Sequence, residues 1–146
     1  KPIPDGYHAV TPVLTVQGAA KLIEFLEQAF DAKETYRLEG PNGGVMHAKI
    51  KIGDSMVMLG EASEQCKPMP ATMALYVEDT DAWYRRALKA GATSVREPAN
   101  QFYGDRSAGV KDFAGNQWWI QTHIEDVPPA EIKKRAEVRM KEQQHS

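Results

Sequence analysis

The chain shows one succession of hydrophobic patterns twice: alternating residues, a helical stripe, then three more alternating segments. In the first half, alternation over residues 8–16 predicts a strand, although Pro12 lacks a backbone donor and so favours an edge or seam position. Apolar residues at helical spacing over 18–30 predict an amphipathic helix. Three further strands are predicted, at residues 33–39, 45–52 and 55–60.

The turns between these segments have their own signals. The tetrad Pro41-Asn42-Gly43-Gly44 predicts a hairpin, because Asn-Gly tolerates the positive φ angles of a type I′ turn. Gly53-Asp54 predicts a second tight turn. Residues 61–70 are polar and contain two prolines, so we interpret them as a linker.

The second half repeats the order of elements. A strand is predicted over residues 71–77, and Asp79 is a candidate N-cap for a helix that ends at Gly91. The remaining predicted segments are a strand at 94–97, a loop at 101–106, a strand that includes 109–111, a turn at 112–116 and a strand at 117–122. A shift of 61 residues places Val57 on Trp118 and Leu59 on Ile120, which indicates an internal repeat.

The repeat predicts an α+β fold. Two βαβββ modules, at about residues 8–60 and 71–123, would form a curved, cup-shaped mixed sheet with helices on its convex side. The segment 127–146 departs from the repeat, and Pro128-Pro129 there predicts the start of a C-terminal helix. We therefore expect a single domain over residues 1–146.

Strand alternation divides the strand residues into two faces. The face predicted to cover the helices contains Leu14, Val16, Val57, Leu59, Met73, Leu75, Val77, Trp118 and Ile120. The opposite face contains Thr11, Val13, Thr15, Met56, Met58, Thr72, Ala74, Tyr76, Trp119 and Gln121. Large aromatics and methionines among a few hydroxyl and amide groups are typical of small-molecule sites. The alternative is a half-exposed face with scattered apolar residues.

Composition excludes some classes of partner. A formal net charge of −2 gives no electrostatic basis for binding nucleic acid or an anionic membrane, and no apolar run is long enough to span a bilayer. The polar start of the chain shows no secretory signal. Cys66 is the single cysteine, so an intramolecular disulfide is impossible, and we expect a cytoplasmic protein.

Four stretches together resemble a known family: VTPVLTVQGAAKLIEFLEQAF, VMHAKIKIGDSMVML, ALYVEDTDAWYRRALKAGA and QFYGDRSAGVKDFAGNQWWIQTHIED. They are similar to the glyoxalase / bleomycin-resistance / extradiol-dioxygenase superfamily, also called the vicinal oxygen chelate fold, over about residues 9–126. The resemblance implies paired βαβββ modules that close into a cup within one chain or between two subunits. It is specific for a fold and less so for a function.

Metal-dependent members carry ligands on the first, fourth, fifth and eighth strands. The resemblance places these positions at Thr11, Met58, Thr72 and Trp119. Divalent metals prefer imidazole, carboxylate or thiolate ligands, so this set indicates a branch that lacks the usual metal site. Other candidate ligands, His47, Glu61, His123 and Glu125, show no metal-binding spacing. His47 is expected to be a hydrogen-bonded strand residue or a ligand contact.

The loop 101–106 is a second candidate site element. Phe102 and Tyr103 are suited to stacking on a planar ligand, and Arg106 to pairing with an anion. Equally, the aromatics would pack beneath the loop while Arg106 pairs with an acidic residue of the protein.

These observations predict a metal-free binding protein, without a cofactor, that sequesters a planar or aromatic compound and forms a homodimer. The alternative is a lyase, isomerase or dioxygenase-type enzyme with a displaced or absent metal site. The predicted ligand contacts are Thr11, His47, Met58, Thr72, Tyr76, Phe102, Tyr103, Arg106, Trp119 and Gln121. No catalytic residue is assigned, and His47 is the one base expected to face the cup.

Overall fold

A computed structural model describes residues 1–144 and shows two four-stranded mixed sheets. The first sheet, with the order β1-β4-β3-β2, contains β1 (Val13–Val16), β2 (Lys33–Glu39), β3 (Val45–Ile52) and β4 (Ser55–Glu61). The second, with the order β5-β8-β7-β6, contains β5 (Thr72–Tyr76), β6 (Thr93–Asn100), β7 (Asp105–Lys111) and β8 (Gln117–His123). We call the sheets, each with its helix, module 1 and module 2.

Strand pairing confirms the predicted repeat. β1 runs parallel to β4, as β5 does to β8, and the remaining pairs are antiparallel. Val13 lies opposite Met58, and Ala74 lies opposite Trp119, so both members of the pair move by 61 residues between modules. The predicted α+β architecture of two βαβββ modules, with a curved open sheet, is therefore correct.

The helices share one side of the two sheets. Helix α1 (Ala19–Phe30) packs against helix α2 (Thr80–Lys89), and the Phe30 ring lies 6.2 Å from that of Trp83 and 5.1 Å from that of Trp118. The face predicted to cover the helices is buried or half-buried throughout. Trp118 is 2% exposed, so neighbouring Trp119 faces the concave side, as alternation requires.

Side-chain caps fix the start of each of these helices. The Asp79 carboxylate accepts the Ala82 backbone N–H, as predicted for an N-cap. At α1 the cap comes from a distant residue, since the Glu61 carboxylate accepts the backbone N–H groups of Gly18 and Ala19. Glu61 thus stabilises the positive end of α1. This structural role explains the position of a carboxylate that sequence analysis named among the candidate metal ligands.

Several predicted boundaries were wrong. β1 begins at Val13, because Pro12 has no N–H to donate to β4, and Thr11 therefore lies outside the strand. β6 extends to Asn100 despite Pro98, which sits on an edge strand. β7 begins at Asp105, so Arg106 is a strand residue and the loop is confined to residues 101–104.

The C-terminal helix α3 (Pro129–Gln144) buries none of its described side chains. Arg135 ties it to the domain by donating to the Phe102 carbonyl oxygen and pairing with Glu125, and within the helix it also pairs with Glu131. The predicted helix extended to residue 146, but residues 145 and 146 lie outside the described part. Within residues 1–144, no helix combines the length and apolarity that crossing a bilayer requires.

Candidate functional site on the concave face of module 2

A row of four residues crosses the concave face of the second sheet. Strand pairing places Arg96 opposite Gly109, Gly109 opposite Trp119, and Trp119 opposite Ala74. The large indole is thus flanked by two positions that project almost nothing above the sheet. This arrangement makes Trp119 the floor of a shallow hollow.

Gly109 lets the indole lie flat across β7. A Cβ atom built on Gly109 would meet Trp119 Cζ3 at 2.5 Å, closer than any side chain tolerates. With that space free, the ring reaches toward β6, where the Arg96 guanidinium carbon lies 4.7 Å from the ring centroid. Such a stack of a cation on an aromatic face is electrostatically favourable and holds the indole in one orientation.

A hollow of about 380 Å³ opens above this floor. Its walls are supplied by Thr72, Ala74, Arg96, Tyr103, Ser107, Trp119 and Gln121. Four of these were predicted ligand contacts from three separate parts of the chain: Thr72, Tyr103, Trp119 and Gln121. The mixture of aromatic rings with hydroxyl, amide and guanidinium groups is suited to a small organic molecule.

Arg96 and Ser107 were missed by sequence analysis. Arg96 belongs to a strand whose register shifts on both sides of it, so alternation alone could not assign its face. Ser107 lies between the predicted loop at 101–106 and the predicted strand segment at 109–111, and was assigned to neither. The detectable signal was the internal repeat, which aligns β7 with β3 and therefore implies a longer β7.

A chain of hydrogen bonds borders the hollow. Tyr76, which pairs with Gln121, donates its hydroxyl to Asp105 Oδ2 at 2.7 Å. His123 lies between two carboxylates, with Nδ1 2.8 Å from Asp105 Oδ1 and Nε2 2.6 Å from Asp126 Oδ1. Asp105 is 4% exposed, so the two partners compensate a buried carboxylate.

The same contacts shift two pKa values. The pKa of His123 is raised, first by its hydrogen bond to Asp126 and then by that to Asp105. The pKa of Tyr76 is also raised, mainly because its hydroxyl donates to Asp105. Tyr76 therefore remains a phenol near neutral pH, with its proton directed at Asp105 and its oxygen lone pairs free to accept.

The remaining predicted contacts lie elsewhere. His47 is on β3, with its ring 6.5 Å from that of Tyr36, and Met58 is on β4 opposite Val13, so both belong to the first sheet. Thr11 lines a separate cavity of about 170 Å³ between the modules, with Met56, Met73 and Trp118 among its walls. None of the three contributes to the hollow above Trp119.

The structure shows which of the two expected arrangements the side chains of residues 102–106 adopt. Arg106 forms a paired contact with Asp81 of α2, at 2.6 Å and 2.9 Å, on the helix side of the sheet. This is the ion pair with an acidic residue of the protein, the alternative to pairing with a ligand. Phe102 packs edge-on against Tyr103 and beneath Arg139, while Tyr103 reaches the hollow and lies 3.5 Å from Gln121 Oε1.

The donor set does not fit a divalent metal. The positions that the resemblance gives to metal ligands hold Thr11, Met58, Thr72 and Trp119, which offer hydroxyl, thioether and indole groups. At Trp119 the Arg96 guanidinium carbon lies over the ring, 4.7 Å from its centroid, and its positive charge opposes a cation there. Within residues 1–144, no three His, Cys, Asp or Glu side chains gather in a metal-binding group.

Comparison with known proteins gives the family. The model of the Glyoxalase/Bleomycin resistance protein/Dioxygenase superfamily matches residues 8–120, and the chain belongs to this superfamily. An uncharacterised protein of Mycobacterium bovis is 38% identical over 136 residues, covering 86% of this chain and 90% of the relative.

Two solved structures have the same fold at low identity. TioX from Micromonospora sp. ML1 superposes with a TM-score of 0.66 at 22% identity, covering 80% of this chain and 100% of that one. The fosfomycin resistance protein FosX from Mesorhizobium loti gives a TM-score of 0.58 at 20% identity, covering 79% and 91%. At these identities the comparison establishes the fold alone.

Proposed function

We propose that this protein binds a planar or aromatic small molecule on the concave face of module 2, without a metal or another cofactor. The observation that carries the proposal is the Trp119 indole lying flat as the floor of a hollow of about 380 Å³. A flat, half-buried aromatic surface gains most from a flat apolar partner, which stacks on it and displaces water. Sequestration of such a compound requires only this binding surface, without a metal, a cofactor or a catalytic group.

Polar groups around the floor provide orientation. Tyr103, Ser107 and Gln121 line the walls, and Tyr76 at the rim presents an oxygen that accepts hydrogen bonds. A few directional groups beside an apolar surface are the usual composition of a specific ligand site. Proteins similar in fold include a fosfomycin resistance protein, and resistance by binding a toxic compound fits the same proposal.

We further propose that the protein acts as a single-domain homodimer in the cytoplasm. One core cluster contains residues of both modules, from Leu14 to Ile120, which supports one folding unit. Large apolar side chains on the concave faces remain exposed, Val13 at 61% and Tyr76 at 60%, and a second chain would cover them. The lone Cys66 is a free, exposed thiol, which suits a reducing compartment.

A thermal-shift screen tests the binding proposal. Wild-type protein and Trp119→Ala are melted with a panel of bicyclic aromatic compounds at millimolar concentration. A true ligand in 100-fold excess over its Kd should raise the wild-type Tm by roughly 5–10 °C, because it stabilises only the folded state. The shift should shrink strongly in Trp119→Ala.

Phe113→Ala is the matched control, since it removes an exposed aromatic ring outside the hollow. Its ligand-induced shift should equal that of the wild type. Equal shifts in all three proteins would contradict the proposed site, and the absence of any shift across the panel would contradict aromatic binding itself.

A second candidate function is acid–base catalysis as an isomerase or lyase. It is favoured by the hydrogen-bonded chain Tyr76–Asp105–His123–Asp126, which links a phenol at the rim of the hollow to an imidazole. If the chain served catalysis, turnover of a bound compound would fall at least 100-fold in Tyr76→Phe with little change in Kd. Mass spectrometry of any bound compound after prolonged incubation distinguishes the two functions, since a binding protein returns it unchanged.

A further inference from the structure

Arg96 differs from three other arginines of the described chain in having no carboxylate partner. Arg37, Arg106 and Arg135 each meet a carboxylate of the protein. Within residues 1–144, no carboxylate oxygen comes within 4 Å of the Arg96 guanidinium, which makes a single hydrogen bond, from Nη2 to Ser107 Oγ at 3.2 Å. A guanidinium has five N–H donors, so most of its donor capacity is unused.

The position of Arg96 directs that capacity toward the hollow. Its guanidinium stacks on Trp119 and lines the same hollow as Tyr103 and Gln121. Trp119 remains partly exposed, so a molecule resting on the open part of the indole would have this planar cation beside it. Guanidinium groups recognise carboxylates through two parallel hydrogen bonds, which fixes both the position and the orientation of the ligand.

The surrounding charges favour an anion. Ser107, Thr72, Gln121 and Tyr103, which share the hollow with Arg96, are neutral. The nearby acid, Asp105, is already compensated by the Tyr76 hydroxyl and by His123. The hollow thus carries one uncompensated positive charge at its edge, and a cationic or dianionic ligand would be matched less well than a monoanion.

We propose that the ligand of this site is an aromatic monocarboxylate, whose ring stacks on Trp119 and whose carboxylate pairs with Arg96. This deepens the proposed function and rests on it. The combination of a stacked Arg–Trp pair with a free guanidinium edge recognises the two halves of such a molecule separately. A neutral amide of the same shape would keep the stacking and lose the charge-assisted pair.

Three probes of nearly the same shape test this assignment: 2-naphthoate, neutral 2-naphthamide and cationic 2-naphthylmethylammonium. Binding is followed by NMR through the indole N–H signal of Trp119, identified among the three tryptophans by its loss in Trp119→Phe. For the wild type we expect 2-naphthoate to bind at least tenfold more tightly than the amide, and the cation to bind most weakly. Moderate salt should weaken the naphthoate complex and leave the amide complex unchanged.

Variants separate the charge from the stacking. In Arg96→Gln the naphthoate Kd should rise about tenfold and the amide Kd should change little, and Arg96→Lys should be intermediate because it keeps the charge without the planar fork. Arg85→Gln is the matched control, since it removes an arginine charge from an exposed position on α2 outside the hollow. Urea denaturation of each variant verifies that it is folded.

Different results would contradict the carboxylate assignment alone and aromatic binding at Trp119 as a whole. Equal affinities for naphthoate and the amide, or an unchanged naphthoate Kd in Arg96→Gln, would overturn the carboxylate assignment while leaving aromatic binding intact. Failure of all three probes to move the Trp119 signal would overturn the carboxylate assignment together with aromatic binding at Trp119. If the cationic probe bound most tightly, the carboxylate assignment would be overturned, and the Trp119 ring would instead act as a cation-binding surface.

Discussion

Trp119 and Arg96 lie on strands either side of Gly109, and their side chains meet above this glycine. The guanidinium carbon is 4.7 Å from the indole centroid. The indole is consequently held between the backbone of Gly109 and the guanidinium of Arg96, and it remains partly exposed. The indole is therefore a rigid flat surface, whereas a mobile tryptophan side chain would lose conformational entropy when a ligand binds.

Substitution of Gly109 should disturb the site. In Gly109→Ala the new Cβ would overlap the indole ring, so the ring must lift from the sheet and lose its stack with Arg96. We expect a loss of about 1–3 kcal/mol in the free energy of unfolding, together with a clear change in the Trp119 indole N–H shift. Ala108→Gly, the neighbouring buried position on the opposite face, is the control and should leave that signal unmoved.

The two adjacent tryptophans should differ in their contributions to stability. Trp118 is 2% exposed, contacts Phe30 and donates its indole N–H to Asp112, so Trp118→Ala should cost about 3–5 kcal/mol. Trp119→Ala should cost less, since its ring is partly in water already. Urea denaturation curves provide the comparison, and a larger loss for Trp119 would contradict the assignment of faces.

Stability should depend on the protonation of His123. Because the folded protein raises the pKa of this imidazole above its ordinary value of about 6.5, its contribution is fully present below that pH and is lost as pH rises through the higher folded pKa. The wild type should therefore lose stability, relative to His123→Gln, as the pH rises above about 6.5. A difference that stays constant or grows with pH would show that the imidazole gains nothing from Asp126 and Asp105.

Purified, untagged protein should retain no stoichiometric divalent metal after dialysis. The reason is the donor set at the positions that the resemblance gives to metal ligands, which are Thr11, Met58, Thr72 and Trp119. Elemental analysis by mass spectrometry provides the measurement, with zinc, nickel, iron and manganese as the relevant elements. About one equivalent of any of them per chain would refute the metal-free account.

Sequence patterns predicted the fold well because each prediction rested on a local rule. Alternation assigned Trp118 and Trp119 to opposite faces, and the 61-residue repeat gave the module order. The site was predicted less completely, since contacts between strands depend on register. Arg96 was missed because its strand is irregular on both sides, and Arg106 was placed in a loop because nothing local indicated that β7 begins at Asp105.

Long-range side-chain partners are a second feature that sequence patterns did not reveal. Sequence analysis found no metal-binding spacing at Glu61, and it gave no indication that this carboxylate caps α1 at Gly18 and Ala19, more than 40 residues away in sequence. His47, the base expected to face the cup, lies on the first sheet, and the histidine that borders the hollow of module 2 is His123. Which polar residues meet across a fold is set by packing, and a single sequence carries little information about it.

The central claim is that the concave face of module 2 binds an aromatic small molecule on Trp119. The most direct test is a crystal structure with the compound that most raises the Tm in the aromatic screen. We expect its ring to stack on the exposed part of the Trp119 indole, at about 3.5–4 Å, with Tyr103 and Gln121 in contact. A compound found instead in the cavity lined by Thr11 and Met56, with the surface of Trp119 open to solvent, would contradict it.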